Sequence, residues 1–434
     1  MKQALHNSSW MMADKVINMF LSFLLTLLLT RYFSPEAFGV YAYAFSLASI
    51  FVVLGGLGLE GVVVRELVTH KNKPHDIVGS VFVAKLLAYG LGFVLILLFT
   101  FSTEEAGSES FNLMLLAAAA LFFKAFNVFD IWNQAWLQSK KTMLASCSSA
   151  AVGVLAKCLF VLQGASLVMV AAVNIAQSAL FSALLTFFYF KGGLNQILSR
   201  GFSFNTISSL LKKSYLIYLG SLCAIINLKI DQIMLNWLVG SAEVGIYAVA
   251  ASLSEAWYFV ATAVVASFFP QLIELKKVDE TSFTNKLQHL LDALMVAALL
   301  VALLMQVIAA PMVGLLFGQA FHAASPILII HIWAGIFIFM RAVLSKWILI
   351  EDILVFSLIT QGLGAMANVL LNFWLIPEFG GVGAAYATVG SYIMSSYVAL
   401  LVYSRTRGMF SMMTKSLLLP FRLPTMLWNY VSKV

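Results

Sequence analysis

Twelve ionisable side chains lie inside stretches that are otherwise apolar. The basic ones are Lys15, Lys85, Lys124, Lys157, Lys229 and Arg341, and the acids are Asp14, Glu60, Asp130, Asp231, Glu255 and Asp292. An ionised group facing hydrocarbon costs at least about 2.5–3.5 kcal/mol, so most of the twelve must meet a partner or a water-filled cavity. The chemistry they offer is electrostatic: buried ammonium groups hold anions, and buried carboxylates carry protons or sodium ions. Spacing sharpens this. Asn127, Asp130 and Gln134 follow i, i+3, i+7 and make one polar stripe, with Lys124 one turn ahead. Asn227 and Asp231 share one helical face, while Lys229, Gln232 and Asn236 share roughly the opposite one.

Lys124, Lys157 and Lys229, with Asn127 in the stripe, are therefore expected to face a ligand, because the neighbouring acids are too few to pair them all. Lys15, Glu60 and Asp292 lie within two turns of a span end, where snorkelling to headgroups is an alternative. Asp14 and Lys15 are adjacent, so they point about 100° apart and do not simply neutralise each other. Lys85 is about 12 Å deep at 1.5 Å per residue, where either reading holds. Asp130 and Arg341 carry opposite charge at equivalent points of an internal repeat, which suits a gate between lobes or a static bridge.

Enzymatic chemistry finds little support. The six histidines are scattered, no phosphate-binding loop or nucleotide fingerprint is present, and the runs Gly55-Gly56-Leu57-Gly58 and Gly380-Gly381-Val382-Gly383 lie at or inside apolar helices. Cys147, Cys158 and Cys223 have neither metal-ligand spacing nor a loop context, so packing is expected of them. No catalytic residue, metal site or cofactor is expected.

The elements that must position these groups are membrane helices. The chain is 62% apolar and only 10% charged, with a mean hydropathy of +0.94, against about a quarter charged for a soluble domain. Apolar runs of about 20 residues cross a bilayer as helices and are too long and continuous for barrel strands. Twelve spans are expected, at 10–31, 38–60, 77–101, 111–137, 143–163, 166–190, 214–238, 244–273, 288–310, 325–347, 353–376 and 381–404. Asp14-Lys15 interrupts the first run, which is also too long for a cleaved signal. Alternate loops are rich in Lys and Arg, which places that side and both termini in the cytoplasm. The net charge of +7 gathers at helix ends rather than on a soluble face, so nucleic acid is not expected as a partner.

The hairpin from Trp10 to Glu66 recurs. Gly39, Tyr41, Ala42, Ala44, Ser46 and Leu47 each meet the same residue type 206 positions later, and at an offset of 211 Trp136 falls on Trp347, Gly153 on Gly364 and Asp130 on Arg341. An all-α fold follows, with a six-helix lobe in 1–200, a second in 201–404, and a pseudo-twofold axis along the membrane normal. Residues 405–434, basic and partly apolar, read as an interfacial segment or, given Pro420 and Pro424, a disordered tail.

The opening hairpin, with its early charged site and Ser34-Pro35-Glu36-Ala37-Phe38-Gly39-Val40-Tyr41 between helices one and two, resembles bacterial polysaccharide flippases. These are the O-antigen and exopolysaccharide translocases of the multidrug/oligosaccharidyl-lipid/polysaccharide exporter superfamily. The resemblance implies an inner-membrane protein that moves an undecaprenyl-pyrophosphate-linked oligosaccharide to the periplasmic leaflet by alternating access. It also implies a polar, often cationic cavity, and Lys15 matches the family's early basic position in helix one. Candidate partners are then the lipid-linked glycan, membrane lipids, and the polymerase and chain-length machinery of polysaccharide assembly. Asp14, Asp231 or Glu255 are candidates for coupling to H+ or Na+. Two other readings stand beside this: a cation-coupled multidrug exporter of the same superfamily, and a membrane assembly subunit that transports nothing.

Overall fold

The computed structural model describes residues 2–69, 74–191 and 202–422. It is all helical among them, and eleven runs are long and apolar enough to cross a membrane. Two compact units divide the chain, Met1–Ala248 and Val249–Val434.

The first unit opens with α1 (Lys2–Tyr32) and α2 (Pro35–Gly56). Ser34 caps α2, its hydroxyl accepting from the Ala37 N–H at 3.3 Å, with Pro35 in the first turn and Glu36 beside the positive helix end. There follow α3 (Glu60–Thr69), α4 (Pro74–Thr103) and a fourth span in pieces: α5 (Glu109–Ala119), α6 (Leu121–Lys124), a 3₁₀ turn Ala125–Asn127, and α7 (Val128–Ala135). The unit is completed by α8 (Ser139–Leu162), α9 (Leu167–Lys191), α10 (Phe204–Leu238) and the start of α11 (Ser241–Glu255). Helix α1 lies along α8, and α10 lies along α2. The Trp237 indole N–H donates to Tyr43 Oη at 3.0 Å, and Ser46 Oγ donates to Gln232 Oε1. The repeat boundary at residue 200 and the contact boundary at 248 thus differ, because α10 packs on α2.

The repeated hairpin motif meets its own copy. A Cβ at Gly39 would lie 1.7 Å from the Ser241 carbonyl oxygen, and one at Gly245 would lie 2.0 Å from that of Pro35. Gly39 and Gly245 are the pair found at the 206-residue offset, and each is glycine because the other's backbone occupies the place of a side chain.

The second unit contains α12 (Tyr258–Val278), α13 (Glu280–Phe317), α14 (Ala324–His331), α15 (Ala334–Ile350), α16 (Leu354–Ser396) and α17 (Arg407–Leu417). Helices α12, α13, α15 and α17 enclose its main apolar core. The twelve expected spans become eleven runs because 353–376 and 381–404 join. A straight helix of that length would be about 65 Å long, twice the hydrocarbon thickness, but Gly380 leaves helical geometry (φ 55°, ψ −133°). The run then folds back, so that Asn368 Nδ2 reaches Ser391 Oγ at 3.4 Å and a Cβ at Gly383 would meet the Leu375 carbonyl at 2.2 Å.

Asp292, expected to snorkel, instead holds the tail. Its Oδ1 accepts from Ser416 Oγ at 2.5 Å and Gln288 Nε2 at 2.8 Å, which docks α17 on α13 with Met409 and Met413 buried beneath. The rest of the expected tail segment, 423–434, and much of the long connection near 199–209 lie outside the described residues.

Gly39→Ala should lower the thermal stability of the detergent-solubilised protein by about 1–3 kcal/mol, the usual cost of overpacking. Gly90→Ala, where an added Cβ meets nothing within 4 Å, should instead be neutral or gain about 0.5–1 kcal/mol. Equal effects from the two changes would contradict the backbone crossing.

Candidate functional site

The polar residues of the first unit fall into connected groups. On α1, Asp14 Oδ1 accepts from Asn18 Nδ2 at 2.8 Å, and Asn18 also donates to Ser146 Oγ on α8 at 2.8 Å. Cys147 Sγ lies 3.8 Å from the same carboxylate oxygen. Asp14 is half-buried, whereas its neighbour Lys15 points to the exposed side of α1.

The broken fourth span carries the predicted stripe. Asp130 Oδ2 accepts from Gln134 Nε2 at 2.9 Å, and Asp130 also bonds Thr142 at the start of α8. Asp14 and Glu60 both lie within electrostatic reach of it. Lys85 on α4 is completely buried, its Nζ has no hydrogen-bond partner among the described residues, and Glu60 and Asp130 lie within its electrostatic reach. One end of the snorkelling alternative for Lys85 is thereby closed, since a snorkelling ammonium would be exposed. One turn before the stripe, Lys124 is half-buried and makes no hydrogen bond or ion pair among the described residues. The amide oxygen of Asn127 is buried without a partner among the described residues. The 3₁₀ turn at Ala125–Asn127 separates these two residues from the regular helix that holds Asp130. Short 3₁₀ stretches inside helices often mark hinges or functional sites.

Lys157 is 2% exposed. Its Nζ donates to Asn174 Oδ1 at 2.8 Å and Gln177 Oε1 at 3.1 Å on α9, so the ammonium is met by neutral amides. Asn174 Nδ2 then reaches Tyr41 Oη on α2 at 3.3 Å. A Cβ at Gly153 would lie 2.2 Å from the Gln177 Oε1, so that glycine makes room for the amide. On α10 Asp231 is 2% exposed and accepts from Tyr247 Oη at 2.6 Å, while Lys229 is half-buried. Tyr41 and Tyr247 are another pair from the 206-residue offset, and each hydroxyl serves a buried polar group. Neither Asn174 nor Gln177 was expected at the site, although their i, i+3 spacing inside an apolar run was a usable signal.

In the second unit Arg341 donates from Nη1 to the Ser395 carbonyl at 2.8 Å and from Nη2 to Thr360 Oγ1 at 3.1 Å. Glu255 is half-buried at the last turn of α11, where the chain breaks before α12. Among the described residues, no three His, Cys, Asp or Glu side chains are placed to hold a metal ion.

Comparison with known proteins gives this arrangement a family. A family model described as "Polysaccharide biosynthesis protein" matches residues 4–276, and the chain belongs to that family. It is similar to the probable flippase AglR of Haloferax volcanii, with 29% identity over 189 residues, 39% of this chain and 37% of that one. The match thus spans little more than a third of that relative. Among solved structures, the lipid II flippase MurJ in an inward closed conformation superposes with a TM-score of 0.68 at 14% identity, over 97% of this chain and 93% of that one. An inward-facing multidrug transporter of the MATE family gives 0.61 at 13%, over 92% and 96%. A transporter of the same superfamily from Pyrococcus furiosus, described as having a binding pocket of reversed polarity, gives 0.61 at 14%, over 95% and 96%. The chain therefore shares the fold of these proteins, and it is a multi-pass membrane protein of the polysaccharide biosynthesis family.

Lys85→Met keeps the volume of the side chain but removes a buried donor that has no acceptor, a defect that ordinarily costs about 1–3 kcal/mol. Thermal unfolding should show a gain of that order. A loss would mean that attraction to Glu60 and Asp130 outweighs the desolvation.

Proposed function

We propose that this protein flips an undecaprenyl-pyrophosphate-linked oligosaccharide from the cytoplasmic to the periplasmic leaflet of a bacterial inner membrane, with both termini in the cytoplasm. The observation that carries the proposal is Lys124: an ammonium at bilayer depth, half-buried, with no carboxylate or hydrogen-bond acceptor of its own among the described residues. The acids of the same unit are better provided for, Asp14 by Asn18, Asp130 by Gln134 and Asp231 by Tyr247. A cavity for cationic drugs would keep carboxylates and aromatic faces available. A pyrophosphate instead supplies the oxygen acceptors that Lys124 lacks, in a charge-assisted contact. Lys157, Lys229 and Asn127 extend the same polar lining in this proposal, with Lys15 at its rim.

Movement follows by alternating access. Asp130 and Arg341 are assigned to the gate, and Asp14, Asp231 or Glu255 to coupling with H+ or Na+. Partners in the membrane would be the polymerase and chain-length proteins that use the delivered glycan.

Lys124→Ala should reduce flipping of the lipid-linked glycan in proteoliposomes by about 10- to 100-fold, the equivalent of one charged hydrogen bond of about 1.5–3 kcal/mol, at normal protein level. Lys124→Arg should retain most of it. Unchanged flipping in the alanine variant would defeat the anionic-cargo reading, and loss of ethidium efflux instead would favour a drug exporter. Dissipating both proton and sodium gradients should slow transport; no effect would remove the coupling assignment.

A further inference from the structure

On the Lys-rich side of the first unit, the turn between the fourth and fifth spans closes a cavity of about 300 Å³. Its walls are aromatic: Trp132, Trp136, Phe188 and Tyr189. The rings brace one another, with Trp132 5.5 Å from Trp136 and 5.3 Å from Tyr189 between centroids. His75 stacks on the far side of Trp132 at 5.5 Å, and its Nδ1 lies 3.1 Å from Tyr189 Oη. The wall is thus set before any ligand arrives. Around it stand amides and an amine. Gln138 Oε1 accepts from Lys141 Nζ at 2.7 Å, and Asn133 Nδ2 donates to Thr142 Oγ1 at 3.1 Å.

Two features are hard to assign to packing alone. The indole N–H of Trp136 is buried and has no acceptor among the described residues, although buried tryptophans usually find one. Leu137, next to it, holds φ at +56°, a left-handed conformation that is unfavourable for a branched side chain. The internal repeat supplies a control. At the 211-residue offset, Trp132, Asn133, Gln138 and Lys141 correspond to Val343, Leu344, Leu349 and Asp352. Val343 and Leu344 are fully buried in an ordinary apolar core. Trp136 has its counterpart in the buried Trp347, so that ring belongs to the shared fold, but at the positions of Trp132 and Asn133 the fold needs only aliphatic side chains, and the first repeat carries a ring and an amide there. A lipid-facing aromatic belt does not explain this either, since Trp132 and Tyr189 are 7% and 2% exposed.

We infer that this cavity is a carbohydrate-binding subsite at the Lys-rich mouth of the first unit, taking one or two sugar rings. Flat aromatic walls accept the C–H face of a pyranose, while Gln138, Asn133, Lys141 and the indole N–H match its hydroxyls. The volume is at the small end for ligand pockets, and a single cation already shared with Gln138 is poorly suited to a phosphate. Trp132 and Trp136 lie about 12–18 Å from Lys124 along the span at 1.5 Å per residue. The site is thus separate from the proposed pyrophosphate contact, and its use in transport, though not its affinity for sugar, rests on the flippase reading.

The test is fluorine NMR of the full-length protein, labelled with 5-fluorotryptophan in nanodiscs and titrated with free trisaccharides of glucose, galactose, mannose and N-acetylglucosamine. The Trp132 and Trp136 signals are assigned from Trp132→Phe and Trp136→Phe. At least one sugar should shift both signals saturably, and the surface variants Gln138→Ala and Lys141→Ala should weaken that binding tenfold or more while leaving the spectrum of the free protein unchanged. Lys124→Ala should leave sugar binding intact. If no trisaccharide moves either signal, or if the two surface variants bind as well as the parent, the subsite is overturned. Titration with undecaprenyl pyrophosphate separates the two ideas: sugar binding without pyrophosphate binding sinks the flippase reading alone, and the converse sinks the subsite alone.

Discussion

An ammonium group in a membrane interior must be given oxygen, because no water is there to supply it. The first unit meets this demand in two ways and leaves one case open. Lys157 is met by the amide oxygens of Asn174 and Gln177. Lys85 is buried with no hydrogen-bond partner among the described residues, within electrostatic reach of Glu60 and Asp130. Lys124 is partly open and has no partner among the described residues. The difference among the three lysines is what singles out Lys124 as the first contact in the proposed reading, with Lys157 extending the lining. Lys157 donates into a network that continues through Asn174 to Tyr41, so its charge organises three helices. The use of amides in place of acids keeps that network cationic, which suits a cavity for an anion.

Duplication shows how such a scaffold is held. Gly39 and Gly245 cross with no room for a side chain, and Tyr41 and Tyr247 each turn a hydroxyl toward a buried polar residue. The same motif has thus kept its packing in both copies while its polar partner diverged, Asn174 in one and Asp231 in the other. Divergence is sharper near the fourth span, where in the repeat alignment Asp130 falls on Arg341 and Trp132 and Asn133 fall on Val343 and Leu344.

Much of this was legible in the sequence, and what was not had a common cause. The α1–α2 break followed from Ser34 and Pro35, the stripe from helical periodicity, and the doubled architecture from the 206-residue echo. The partners of buried groups were harder to read. Asp292 looked like a snorkelling residue because Ser416, which it holds, is 124 positions away. The amides that Lys157 meets sit on another helix, so its own run could not name them. The 3₁₀ turn at Ala125–Asn127 has no proline or glycine to announce it. Long-range polar satisfaction is set by packing, and periodicity carries no information about it. The fold-back at Gly380 was visible as a glycine pair between two separate apolar runs.

The account stands or falls on what Lys124 faces. Amine footprinting of the purified protein in nanodiscs, read residue by residue by mass spectrometry with and without undecaprenyl pyrophosphate, addresses this directly. The account predicts that Lys124 is acylated in the free protein and strongly protected by the lipid pyrophosphate, while Lys15 on the exposed side of α1 changes little. Equal acylation of Lys124 with and without the lipid, or protection by a cationic drug in its place, would contradict it.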